Sequence, residues 1–222
     1  MTVLHLADEG EAADLAAFLS RLLHYDRGGA VRLQAAGTAL AVFGRPPSFE
    51  VLAIRAVRLA KPYENGLDVT LDVTVSAGEL LESVDESAAT AVVPDAVTGP
   101  PWAGVLPPRG GWRPVPGLPA PDALRAMIGS GVAEFRSRTQ ELAEERRTRA
   151  ELDRIGREIW SRTVGDTHLP VRAVHAAQSL GFLRATGELA LLSSGAWLRL
   201  RTPYGSIAVR RAGLGALDVS VR

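Results

Sequence analysis

The chain writes nearly the same phrase twice. Residues 31–42 read VRLQAAGTALAV and residues 189–200 read LALLSSGAWLRL. In each, a short run ends at a glycine, Gly37 or Gly195, and a second run follows. This is the pattern of a β-hairpin, whose tight turn favours a residue tolerant of positive φ. The echo extends in both directions. Upstream lie segments with helical spacing. In residues 11–24, Leu15, Phe18, Leu19, Leu22 and Leu23 share a face, and residues 171–182 are opened by Pro170 and closed by Gly181. Downstream come the turns FGRPPSF and TPYGS, then VLAIRAVRLA (51–60) and SIAVRRA (206–212). Last come LDVTLDVTV (67–75) and LDVSV (217–221), where apolar and polar residues alternate as in a strand with one buried face.

Such a chain is expected to be α+β, with two related helix-plus-antiparallel-sheet units arising from an internal repeat. The units are assigned to residues 1–87 and 165–222. Asp8 with Glu11, and Ser76 with Glu79, are capping-box pairs that open helices in the first unit. Between the units lies a proline-rich loop, 88–121, followed by a long or broken charged helix, 122–164. Nine of the fourteen prolines fall between Pro94 and Pro121, around Trp102 and Trp112. One reading is a polyproline strip that docks a partner through Trp102, Trp112 and Arg109. The other is a loop wrapped over its own domain with the tryptophans on the core. Residues 134–158 hold seven acidic and seven basic side chains, as a solvated, salt-bridged helix does. Leu124, Ile128, Phe135, Leu142, Leu152 and Ile159 follow a heptad-like register. A dimeric coiled-coil arm and a helix crossing its own sheet both satisfy it.

Composition removes several classes of function. There is no cysteine, so no disulfide, thiol nucleophile or cysteine metal site. No apolar run approaches the roughly 20 residues of a membrane helix, and the N-terminus has no signal-peptide pattern, so a cytoplasmic location is expected. His5, His24, His168 and His175 form no metal-binding spacing, and no nucleophile elbow, phosphate loop or dinucleotide fingerprint is present. No catalytic residue, cofactor or metal is therefore assigned, and an enzyme with a site invisible in sequence is the least favoured alternative. Formal net charge is zero but uneven: residues 1–100 carry 14 acidic and 7 basic side chains, residues 172–222 carry 2 and 7. Lys61 is the only lysine, so arginine is the chain's general cation and not in itself a nucleic-acid signal.

Two patterns bear on function. Helices near 151–163 and 170–182, followed by the hairpin WLRLRTPYGSIAVRR, could form a winged helix, with Arg199, Arg201, Arg210 and Arg211 meeting phosphates. The bland reading of Arg199 and Arg201 is the wet face of a strand, since they alternate with Leu198 and Leu200. Second, a strand at Val3–Leu6, a helix, three strands and an amphipathic strand running into SAGELLESV resemble the βαβββ unit of DNA sliding clamps, over residues 1–84 with a partial echo at 167–222. In that family two units make a domain and domains join edge to edge in rings whose basic helices line DNA. Here the first helix carries Glu11 and Asp14 against Arg21, and residues 85–166 have no counterpart. The same layout resembles secretion-chaperone-like folds, which bind proteins. The expected function is thus a non-enzymatic cytoplasmic binding or scaffold protein that self-associates and holds a macromolecular partner. DNA binding through the arginine-bearing C-terminal unit is the alternative.

Overall fold

A computed structural model describes residues 2–60, 71–184 and 187–211. The first unit contains β1 (Val3–His5), α1 (Glu9–Tyr25), β2 (Ala30–Ala36), β3 (Ala39–Gly44), β4 (Leu52–Arg58), β5 (Leu71–Ser76) and α2 (Ala77–Glu82). A short hairpin, β6 (Val84–Asp85) and β7 (Thr90–Val92), follows, and β1 pairs with β7 in a separate three-stranded sheet. Then come β8 (Arg113–Pro114), α3 (Pro121–Glu141) and α4 (Arg149–Trp160). The second unit contains α5 (Val171–Ser179), β9 (Ala190–Ser194), β10 (Trp197–Thr202) and β11 (Gly205–Arg210).

The repeat is visible in three dimensions. The order helix–strand–strand–strand recurs as α1-β2-β3-β4 and α5-β9-β10-β11. Gly37 and Gly195 sit at the two hairpin turns with φ of 59° and 53°, the left-handed region where a side chain is disfavoured. The units share one eight-stranded antiparallel sheet, ordered β5-β2-β3-β4-β11-β10-β9-β8. The seam is β4 against β11, with Ile54 opposite Ser206 and Ala53 opposite Ile207. Helices α1, α2 and α5 cover one face. Asp8 caps α1 by accepting from the Glu11 backbone N–H at 2.9 Å, and Ser76 caps α2 by accepting from that of Glu79 at 3.3 Å. The apolar face of α1 buries Ala12, Leu15, Phe18, Leu19 and Leu22 against Val31, Leu33, Leu40 and Val42. From the other unit, Val174, Ala177, Leu198, Leu200 and Ile207 complete the same core, and Phe18 stacks on Phe182 across the junction at 5.7 Å.

The charged helix is broken into an antiparallel hairpin. α3 ends at Leu142, whose backbone is extended, and α4 restarts at Thr148, whose hydroxyl accepts from the Glu151 backbone N–H. The charges then pair across the hairpin: Arg138 with Glu158 at 2.9 Å, and Arg162 with Glu134. Gly131 admits the Trp160 ring so closely that an added Cβ would lie 2.9 Å from it. Of the heptad register, Leu124, Ile128 and Ile159 are buried within the chain, with Ile155 beside them, whereas Phe135, Leu142 and Leu152 are half-buried.

The proline-rich loop crosses the sheet face opposite the helices. It leaves the outer edge of β5, where the Val97 N–H donates to the Thr74 carbonyl. It passes β2, where Arg32 donates to the Ala103 carbonyl. Trp102 and Leu106 then pack on Phe43, Leu52, Ile54 and Ala208, a second small core on this face. The loop ends against β9: Arg113 lies opposite Ser193, and the Val115 N–H donates to the Leu191 carbonyl. This is an intramolecular strap that spans both units. Trp102 packs on the second core, whereas Trp112 lies outside both cores and over Arg199. The strap's last strand takes a position the repeat would give to another segment. Ala35 and Ser193 each precede their turn glycine by two residues, and Ala35 pairs with Leu71 of LDVTV. The matching LDVSV, residues 217–221, lies outside the described residues, as do residues 67–70.

Candidate functional site

The two groups of residues singled out in the sequence meet on one surface. β10 and β11 alternate, so Leu198, Leu200, Ile207 and Val209 enter the helix-side core while Trp197, Arg199, Arg201 and Arg210 turn toward the strap. Trp112 of the strap lies over Arg199, with the guanidinium 5.7 Å from the ring centroid, and donates its own Nε1–H to the Pro108 carbonyl at 3.0 Å. Arg210 is exposed and stands 5.8 Å over the Trp197 ring. Arg201 is exposed. Arg211 is turned aside and donates to the Gly195 carbonyl at the hairpin end. Arg109 is exposed at the strap's midpoint.

A cavity of about 440 Å³ opens where strap, sheet and α5 meet. Its walls include Trp102 and Trp197, with Arg45, Arg172 and Arg210 around them and Leu52 and Val105 as apolar lining. Glu50 also lines it, 3.9 Å from Arg172. Arg45 and Arg210 have no ion-pair partner among the described residues, so the rim carries excess positive charge. The Nε of Arg172 is buried without a hydrogen-bond partner. Two tryptophan faces beside three guanidinium groups suit an anionic partner that also offers apolar or aromatic surface. Glu50 is held with φ of 52°, a left-handed conformation uncommon for a residue with a Cβ. It also lines a second cavity of about 730 Å³, between α4, α5 and the turn at Pro47–Phe49, as do Arg172, Trp160 and His175. There His175 lies 4.4 Å from the Trp160 ring and edge-on to Phe49 at 5.1 Å, and burial lowers its pKa from the usual 6.5.

Among the described residues no three His, Asp or Glu side chains converge as metal ligands would. Nor is any described helix long and apolar enough to cross a membrane. The helix side offers phosphate little: Glu9 and Glu11 of α1 lie at its first turn, and Arg55 and Arg184 are spent on Asp14. Sequence reading placed Trp102, Trp112 and Arg199 to Arg211 in separate proposals, and the structure puts Trp102 beside Arg210 and Trp112 on Arg199. It missed Arg45, Glu50 and Trp197 as cavity residues. Trp197 was legible as the strap-side partner of Arg199 by alternation. Nothing local marked Arg45 or Glu50, because their role depends on where the strap lands.

Residues 1–104 match a family described as a domain of unknown function (DUF8010), and residues 107–214 match another domain of unknown function (DUF8185). The boundary between the two falls inside the strap. No curated protein matches the chain. Among solved structures, the chain is similar to the DNA polymerase sliding clamp of Pseudomonas aeruginosa in two crystal structures. One, with ligand, has a TM-score of 0.51 at 13% identity, covering 90% of this chain and 62% of that one. The other has 0.52 at 11% identity, covering 98% and 66%. The chain therefore spans less than two thirds of either clamp. At this identity the likeness is one of fold: a clamp-like α+β arrangement of two repeated units.

Proposed function

We propose that the chain is a non-enzymatic scaffold of the cytoplasm that self-associates and holds an acidic segment of a macromolecular partner on the strap-covered face. The observation that carries this reading is the convergence of Trp102 and Trp197 with Arg45, Arg172 and Arg210 around one cavity, with Glu50 the only carboxylate among its described lining residues. Self-association would use the outer edge of β5. Leu71 to Val73 have no strand partner there among the described residues, whereas β8 closes the β9 edge. The alternative, duplex DNA binding, draws on the exposure of Arg201 and Arg210. The acidic first turn of α1 speaks against a DNA-lining helix face.

Anisotropy titrations of a labelled oligoglutamate peptide carrying one tryptophan and of a labelled DNA duplex, at low and moderate salt, separate the readings. Expected is peptide binding that is lost in Trp102→Ala and in Arg210→Glu, with no comparable duplex binding. Duplex binding that falls steeply with salt and is lost in Arg201→Glu/Arg210→Glu would instead establish phosphate contact. Sedimentation velocity over a wide concentration range tests self-association, and a monomer throughout would remove it.

A further inference from the structure

Of two arginines in the central sheet, Arg55 is buried and Arg199 is half-buried, and the chain treats them differently. Arg55, from β4 on the helix side, is only 6% exposed. It donates to Glu11 and Asp14 at 3.2 Å each and to the Tyr204 carbonyl at 2.7 Å. Arg199, from β10 on the strap side, has no such company. It forms no ion pair among the described residues, and its Nε, like that of Arg55, is buried without a hydrogen-bond partner. Its one evident companion is the Trp112 ring. Burial, with the neighbouring charge of Arg201, pulls its pKa below the ordinary arginine value. A half-buried guanidinium without a counter-ion carries part of the desolvation cost of a buried charge, and a carboxylate or a bound anion relieves it.

A cavity lies at this guanidinium. It has a volume of about 470 Å³ between strap and sheet, with Arg199 and Arg109 in its lining and Phe43, Ile54, Pro107 and Pro108 as apolar wall. Asp72 also borders it. Its two oxygens are already engaged by Arg32, at 2.8 and 3.0 Å, and by Gln34 at 3.1 Å. The space is of small-molecule size, mostly apolar, with a few polar groups at fixed places.

We infer that this cavity is a binding site for a small organic anion, a carboxylate or phosphate monoester with an apolar body. The acid group sits at Arg199 with help from Arg109, and the body lies between Phe43, Ile54 and the prolines of the strap. The site is distinct from the rim around Trp102 and Arg210 and stands whether or not that rim docks a macromolecule. Because the ligand would lie under the strap, occupancy would also fasten the strap to both units.

Thermal melting and calorimetry with octanoate and with phenyl phosphate test the inference, with sodium chloride at equal ionic strength as control. The full chain is used, as wild type, Arg199→Met and Arg109→Gln. Expected is a rise in melting temperature of the wild type with at least one probe. In Arg199→Met that rise is abolished, and in Arg109→Gln, whose exposed position protects the fold, affinity falls severalfold. Without probe, Arg199→Met melts above the wild type, since it removes an uncompensated charge. Octanoate alone acting identifies a carboxylate site, and phenyl phosphate alone a phosphate monoester site. If neither probe shifts the wild type, or if the shift is equal in all three proteins, the inference is overturned. Should Arg199→Met fail to fold, an undiminished affinity in Arg109→Gln overturns the assigned pose.

Discussion

Replacing Arg55 by methionine tests whether the two units are tied by charge as well as by shared strands. The substitution keeps the apolar stem and roughly the volume, and removes three hydrogen bonds. One goes to the Tyr204 carbonyl, in the turn between β10 and β11, and two go to carboxylates of α1. Removing one partner of a buried pair typically costs about 3–5 kcal/mol. The lower end applies, because neither carboxylate is stripped: Glu11 keeps Arg58 at 2.8 Å and Asp14 keeps Arg184 at 2.9 Å. The remaining pair is weaker support, since the Arg58 side chain is 71% exposed while that of Glu11 is 11% exposed. Losing the donor to the Tyr204 carbonyl contributes about 1–3 kcal/mol of the total. Relief of the Arg55 desolvation, with its Nε unpartnered, offsets part of it. The expected loss is about 3 kcal/mol. It is measured by urea unfolding followed by circular dichroism and tryptophan fluorescence, with an unchanged slope. Arg55→Met/Glu11→Gln should cost at least about 1 kcal/mol less than the two single changes summed. A stability within about 1 kcal/mol of wild type for Arg55→Met, or strict additivity in the double variant, would refute the reasoning.

Two other outcomes are expected. His175 is held neutral by burial between Trp160 and Phe49, with its pKa below 6.5. The unfolded chain therefore takes up the proton first, and this contribution to stability is full above pH 6.5 and is lost as pH falls below it toward the folded pKa. Urea midpoints should fall between neutral pH and about pH 5.5, less steeply in His175→Phe, and equal slopes would count against the assignment. Gly205→Ala places a Cβ 2.5 Å from the Phe182 ring, at a backbone φ of 158°. It should cost about 2–3 kcal/mol, read as a lower melting temperature, and a change below about 1 kcal/mol would mean the ring moves freely.

Much of the local structure was readable because it depends on near neighbours. Asp8 and Ser76 cap helices since a carboxylate or hydroxyl three residues before a glutamate meets orphan N–H groups whatever lies beyond. Gly37 and Gly195 mark turns for an equally local reason. The break in the charged helix also had a local sign, Thr148 ahead of Glu151, but it was hidden by a heptad pattern that does not distinguish a partner chain from a partner helix of the same chain. At the candidate site the residue types were visible and their grouping was not. Trp112 and Arg199 are far apart in the chain, and neither carries any trace of the other.

By itself, then, the sequence determined the repeat, the helices and strands of the two repeated units, the turn glycines and the absence of cysteine chemistry, whereas β7 and β8 lie in the stretch assigned to a loop and exist only through their pairing with β1 and β9. Each of the determined features follows from periodicity or from a neighbour within a few residues. Tertiary structure alone decided three things: that β4 and β11 join the units in one sheet, that the proline-rich loop becomes a strap across the face opposite the helices, and that Arg55 acquires counter-ions while Arg199, among the described residues, does not. Alternation says that one side of a strand is apolar. It does not say what will cover the other side, because that depends on contacts between segments distant in the chain, where burial and charge are settled together.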